Sequence, residues 1–169
     1  MLKVFLVEDE TVIREGLRDR IPWEQYGYRF VGEAADGEVA LPLIRKTRPD
    51  VLITDIKMPF MDGLSLSRIV REEFPKTKIL IISGYDDFEY AKQAIKLNVT
   101  EYILKPVNVE ELTAILQKIK ANLDQEIEQK RNVNLLRENY IKSLPILREQ
   151  FLNELVNAPI AYETVQTRL

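Results

Sequence analysis

Five side chains in this sequence have the types that phosphoryl chemistry uses: the carboxylates of Glu8, Asp9 and Asp55, the hydroxyl of Ser83 and the ammonium of Lys105. Each follows an apolar run. Leu2–Val7 runs into Glu8-Asp9-Glu10, Val51-Leu52-Ile53 into Thr54-Asp55, Ile79–Ile82 into Ser83-Gly84, and Tyr102-Ile103-Leu104 into Lys105-Pro106. Three carboxylates brought within a few ångströms repel one another unless a positive charge lies among them. A hard divalent cation suits such a set, and Mg²⁺ is held by a few carboxylates together with waters and phosphate oxygens. Lys105 adds a second positive charge and Ser83 a hydroxyl donor, both suited to the oxygens of a phosphoryl group carried by Asp55. A carboxylate attacking phosphorus gives an aspartyl phosphate. Taken singly, each group has a plainer role: Glu8-Asp9-Glu10 as a solvated helix N-terminus, Asp55 as a turn cap, Ser83 as a turn residue, Lys105 as a surface cation.

Convergence of these groups requires a particular scaffold. The apolar runs at 2–7, 51–53, 78–82 and 101–104, with a further strand at Arg29–Ala34, have the length and content of buried parallel strands. Between them lie helical patterns. Thr11 caps a helix from Val12 to about Arg20, closed by Pro22; Glu38–Thr47 is helical with Pro42 near its first turn; Leu64–Phe74 is stopped by Pro75; and Asp86 or Asp87 opens a helix through Ala91, Ala94, Ile95 and Leu97. Alternating strands and helices predict an α/β fold, a doubly wound five-stranded parallel sheet of the flavodoxin-like order 2-1-3-4-5. In that order the first and third strands flank the switch point, where ligands bind beyond the strand ends. The aromatic segment Trp23–Tyr28 pads a core edge or faces a partner.

Composition narrows the chemistry. The 169 residues are 46% hydrophobic and 30% charged, with a formal net charge of -3, which predicts a globular chain with no overall pull toward nucleic acid or anionic lipid. No apolar run approaches a membrane span and no signal-peptide pattern opens the chain, so a cytoplasmic protein without a membrane partner is expected. With no cysteine and no histidine, thiol and imidazole mechanisms are excluded. A phosphatase of the haloacid dehalogenase type also places an Asp after a strand, but it wants a second Asp two residues on, where this chain has Lys57.

Val7-Glu8-Asp9-Glu10, the run Asp55–Gly63 with its Met-Pro-Phe-Met-Asp-Gly, Ser83-Gly84 and Tyr102-Ile103-Leu104-Lys105-Pro106 together resemble the receiver domain of two-component response regulators. The resemblance spans residues 1–121. It implies that Asp55 accepts a phosphoryl group from a histidine kinase. It implies that Asp9, Asp55 and the backbone carbonyl of Lys57 ligate Mg²⁺, with Glu8 acting through water, and that Ser83 and Tyr102 form a switch pair. It implies a phosphoryl acceptor with at most slow self-catalysed turnover rather than an enzyme. Glu8 departs from the family pattern, in which Asp is common, so its contact with the metal stays open between direct and water-mediated.

Beyond the receiver, Leu112, Leu116, Ile119 and Leu123 start a heptad frame that continues through Glu126, Lys130, Val133, Arg137, Tyr140 and Leu144, without proline or glycine from Val107 to Leu144. A helix from Val109 to Leu144, about 54 Å long, is expected to pair with a second copy; a solvated linker over 122–144 is the alternative. Pro145 is expected to end it, with a short amphipathic helix at Ile146–Val156 opening a truncated region, 145–169. The linker and Phe151-Leu152-Asn153-Glu154-Leu155 resemble response regulators with an AraC-type helix-turn-helix output domain. DNA binding is expected only through that missing domain. A phosphorylation-independent interaction module is the rival reading.

Overall fold

The computed structural model describes residues 1–84 and 88–157, and side chains over 1–84 and 89–142. The order is β1 (Leu2–Val7), α1 (Thr11–Arg20), a 3-10 turn (Trp23–Tyr26), β2 (Tyr28–Ala34), α2 (Gly37–Thr47), β3 (Val51–Asp55), α3 (Gly63–Glu73), β4 (Lys78–Ser83), α4 (Phe88–Lys96), β5 (Glu101–Leu104) and α5 (Val109–Asn157). All pairings in the sheet are parallel, in the order β2-β1-β3-β4-β5 expected from the sequence. The contacts divide the chain into two compact units, Met1–Asn122 and Leu123–Leu169.

The strands read as continuous apolar runs because helices cover both faces of the sheet. Val4, Phe5, Leu52, Ile53, Ile79, Leu80 and Ile81 are fully buried, and α2, α3 and α5 contribute Ile44, Leu66, Val70, Leu112 and Leu116. Burying such side chains stabilises the unit by roughly 1.5–3 kcal/mol each relative to exposure. The aromatic segment belongs to this core: Trp23 and Tyr28 are buried, Trp23 packs against Phe30 with centroids 5.6 Å apart, and Tyr28 Oη donates to the Leu116 carbonyl.

Several sequence expectations are corrected. Glu10, not Thr11, is the N-cap of α1, and it makes no side-chain capping bond. Pro42 lies in the second turn of α2, inside the helix; Asp36 caps that helix with its side chain accepting from the Val39 N–H, which starts it at Gly37. Pro145 does not end α5, whose backbone runs to Asn157, so Ile146–Val156 is not a separate helix. A proline inside a helix removes one i→i−4 bond, and the bonds on either side carry a long helix past it. The heptad frame also splits. Leu112, Leu116 and Ile119 are buried in the receiver core, whereas Val133 and Tyr140 of the same frame are exposed, as are Ile127, Leu136 and Ile141 outside it. The apolar positions before Leu123 are therefore already occupied by their own domain. The expected helix start at Asp86 or Asp87, the side chains of Phe151–Leu155 and the stretch after Pro159 lie outside the described residues.

Gly63 shows how closely the β3 end is packed. A Cβ there would fall inside van der Waals contact of the Asp55 carbonyl oxygen, while the Gly63 N–H donates to the Ile56 carbonyl at 2.7 Å. Gly16, in the middle of α1, has open space around the same position. Gly63→Ala is expected to destabilise by about 2 kcal/mol or more, whereas Gly16→Ala stabilises by up to about 1 kcal/mol; urea unfolding of both variants measures the contrast.

Candidate functional site

The sheet register decides which strand ends meet. Val7 pairs with Thr54 and Asp55 with Ile82, so Glu8, just past β1, and Ser83, the last residue of β4, flank the end of β3 on its two sides. Ser83 in turn pairs with Leu104, which brings Lys105 to the same edge, and the Lys105 N–H donates to the Ser83 carbonyl at 2.8 Å. The Lys105–Pro106 peptide is cis.

Lys105 is the hub. Its Nζ lies 3.0 Å from Asp55 Oδ2, 3.1 Å from Glu8 Oε2 and 3.5 Å from Glu10 Oε1. Asp55 is 6% exposed and Glu8 1%, so two of these three carboxylates are withdrawn from water. Asp55 Oδ1 accepts from the Ile56 N–H at 2.8 Å, and Glu8 Oε1 from the Glu10 N–H at 3.2 Å. One ammonium does not neutralise this group. Burial, and next the charge of Asp55, push the Glu8 carboxyl from 4.5 up to about 7, against the opposing effect of Lys105. For Lys105, burial pulls the ammonium down, but its hydrogen bonds to Asp55 and Glu8 and their charges outweigh this and hold it above the ordinary lysine value.

A second grouping overlaps the first. Carboxylate oxygens of Glu8, Asp9 and Glu10 lie within 4.8 Å of one another, and this all-oxygen set, short of positive charge, fits a hard divalent cation. Glu10 is the residue that the sequence analysis left out of the site. Its signal was there, a third acid contiguous with the other two, but only the Lys105 contact distinguishes it from a solvated helix start.

The β3–α3 loop continues the site. Met58 is half-buried against the core, and Phe60 is 83% exposed with φ of 67°, a conformation uncommon outside glycine. Asp62 caps α3 by accepting from the Ser65 N–H at 2.7 Å, and the Met61 carbonyl accepts from Gly37, tying the loop to α2. Lys57 lies in this loop two residues after Asp55, and its ammonium sits 5.9 Å from the Tyr90 ring centroid rather than in the Lys105 cluster. Ser83 is buried beside Asp55. Tyr102 is half-buried on β5, paired with Ile81 and packed against the core. The structure thus joins Glu8, Asp55 and Lys105 directly, sets Asp9 beside Glu8, and places Ser83 at the adjacent strand end.

A family model described as the response regulator receiver domain matches residues 4–117. The chain belongs to the response regulator receiver family. As a receiver, it is 37% identical over 158 residues to the uncharacterized transcriptional regulatory protein YesN of Bacillus subtilis, covering 92% of this chain and 42% of that protein. It is 36% identical over 157 residues to the transcriptional regulatory protein HptR of Staphylococcus aureus, covering 93% and 61%. Among solved structures, the receiver domain of AraT, a response regulator from Geobacillus stearothermophilus, is 45% identical with a TM-score of 0.70, covering 74% of this chain and 97% of that one. A two-component transcriptional regulator AraC from Clostridium phytofermentans is 30% identical with a TM-score of 0.67, covering 76% and 99%. The chain spans between about two-fifths and three-fifths of the length of these curated relatives. Among the described residues no helix is long and apolar enough to cross a membrane.

The raised Glu8 carboxyl makes stability depend on pH. Ionising Glu8 costs more in the folded chain than in the unfolded one, so its favourable contribution is complete below about 4.5, fades as pH rises toward 7 and is gone above it. The full span is of order 3 kcal/mol. Without divalent cations, Glu8→Gln is expected to be more stable than wild type at pH 8, and nearly equal to it at pH 4.5; urea unfolding at both pH values tests this, and a less stable Gln variant at pH 8 contradicts it.

Proposed function

We propose that this chain is a phosphoryl-accepting receiver in which Asp55 takes the phosphoryl group from a phosphohistidine of a histidine kinase in a Mg²⁺-assisted step. The observation that carries this reading is the Asp55 carboxylate, 6% exposed at the end of β3, bonded to Lys105 and flanked by the Glu8-Asp9-Glu10 acids in a chain of the receiver family. A carboxylate oxygen of Asp55 attacks phosphorus while the bond to the donor nitrogen breaks. Glu8, Asp9 and Asp55, with the Lys57 carbonyl, would hold Mg²⁺, which would supply positive charge to offset that of the transferring group. Lys105 is then free to stabilise the phosphoryl oxygens, and Ser83 supplies a hydroxyl on the other side. Tyr102, on the strand joined to Ser83, responds as the hydroxyl turns. Loss of the phosphoryl group by water attack is slow, since this chain has no histidine to act as general base.

The output lies in the longer relatives. Their names as transcriptional regulators, and lengths well beyond this chain's, support an AraC-type DNA-binding domain after α5 in a cytoplasmic regulator. The exposed apolar residues Ile127, Val133, Leu136, Tyr140 and Ile141 support pairing of α5 with a second copy, through which phosphorylation is relayed.

Acetyl phosphate with Mg²⁺ is expected to add one phosphoryl group to the wild-type chain and none to Asp55→Asn, read by intact-mass spectrometry. Chelating Mg²⁺ is expected to abolish the reaction, and Lys105→Met to slow it at least tenfold (~1.4 kcal/mol or more of lost transition-state stabilisation). Equal modification of the Asn variant would sink the assignment. For the dimer, sedimentation of the full chain against residues 1–121 is expected to show a dimer for the first only; two monomers at micromolar concentration would remove the α5 pairing.

A further inference from the structure

The backbone of Glu8 is held as firmly as its carboxylate, and by a side chain outside the site described above. Arg14 lies one turn into α1, and its Nη1 donates to the Glu8 carbonyl at 2.7 Å. On the other side of the residue, the Glu8 N–H donates to the Ala34 carbonyl of β2 at 3.0 Å. Both backbone polar groups of Glu8 are therefore hydrogen-bonded, which orients the peptide units on either side of the residue. The guanidinium is itself anchored: Arg14, with its side chain 16% exposed, has its Nε 3.9 Å from Glu33 Oε1 on β2. Arg18 reaches the same Glu33 oxygen at 2.8 Å, while Glu33 Oε2 is buried with no hydrogen-bond partner among the described residues. The chain of contacts runs from β2 through α1 to the first residue of the acid pocket.

We propose that Arg14 is a positioning residue for the acid pocket: by clamping the Glu8 carbonyl, with Glu33 as its counter-ion, it sets the geometry in which Glu8 and Asp9 meet Mg²⁺, and thereby the metal affinity. The inference rests on the Mg²⁺ reading above. Two effects of Arg14 oppose each other. Its positive charge near an acidic site disfavours a cation, whereas its hold on the Glu8 peptide favours binding by ordering the ligands. Glu33 offsets the charge, and the guanidinium points at the carbonyl, so the ordering effect dominates. Partners that orient metal ligands are typically worth 10–100-fold in affinity.

Calorimetric titration of the full chain with MgCl₂ tests this in wild type, Arg14→Gln, Arg14→Lys and Glu33→Gln, with thermal unfolding in EDTA alongside. The Gln variant is expected to bind Mg²⁺ at least about tenfold more weakly, while its acetyl phosphate reaction at saturating Mg²⁺ keeps most of the wild-type rate. Arg14→Lys, retaining charge and one donor, is expected to fall between, and Glu33→Gln to weaken binding in the same direction. Unchanged or tighter Mg²⁺ binding by Arg14→Gln overturns the proposal while leaving the Asp55 reading intact. Should that variant fail to fold in EDTA, wild-type affinity in both Arg14→Lys and Glu33→Gln overturns it equally. A wild-type chain that takes up no Mg²⁺ overturns both this proposal and the metal reading beneath it.

Discussion

The site depends on a single ammonium shared by carboxylates that have been taken out of water. Lys105 stands within 3.1 Å of both Glu8 and Asp55, neither of which is more than 6% exposed, and it reaches Glu10 at 3.5 Å. Removing the Lys105 ammonium costs several kcal/mol, because Glu8 and Asp55 are then left without their shared counter-charge in a poor dielectric. The arrangement is under-compensated, as the Glu8 carboxyl at about 7 shows. A deficit of positive charge is also a binding site for it. The same imbalance that stresses the metal-free fold suits this edge to a divalent cation.

The rest of the unit holds that imbalance in place. Parallel pairing of β1, β3, β4 and β5 delivers Glu8, Asp55, Ser83 and Lys105 to one edge, with Asp55 aligned on Ile82 and Ser83 on Leu104. The return of the chain from β3 into α3 passes so close to Asp55 that only glycine fits at position 63. The central strands beneath are mostly apolar and buried, so the strand ends have a rigid base from which polar side chains project. For the proposed role of Asp55 this rigidity matters, because a reacting carboxylate misplaced by an ångström loses its alignment.

Much of this was legible in the sequence, for physical reasons. Uninterrupted runs such as Val51–Ile53 and Ile79–Ile82 are what two-sided burial demands, and a polar residue at the end of each is conspicuous. Hence the strand order and the grouping of Glu8, Asp55, Ser83 and Lys105 could be anticipated together. What escaped was whatever depends on the element opposite. Glu10 looks like any acid at a helix start until Lys105 is seen beside it, and Arg14 like any solvated helix arginine until it is seen folding back onto the Glu8 carbonyl. Leu112, Leu116 and Ile119 share a period with the exposed Val133 and Tyr140; periodicity cannot say that the first three face their own domain. Pro145 was over-read as a stop: like Pro42 it lies inside a helix, where neighbouring hydrogen bonds carry the backbone past the missing donor.

In the proposed function Asp55 is the phosphoryl acceptor among several acids crowded at one edge. The most direct test is to locate the acyl phosphate. After phosphotransfer from an autophosphorylated histidine kinase with Mg²⁺, hydroxylamine converts an acyl phosphate to a hydroxamate at the residue that bore it, and tandem mass spectrometry of the digested chain reads its position. The account predicts a single hydroxamate at Asp55. A hydroxamate at Glu8, Asp9 or Glu10, or a phosphoryl group stable to hydroxylamine on a hydroxyl such as that of Ser83, would contradict it.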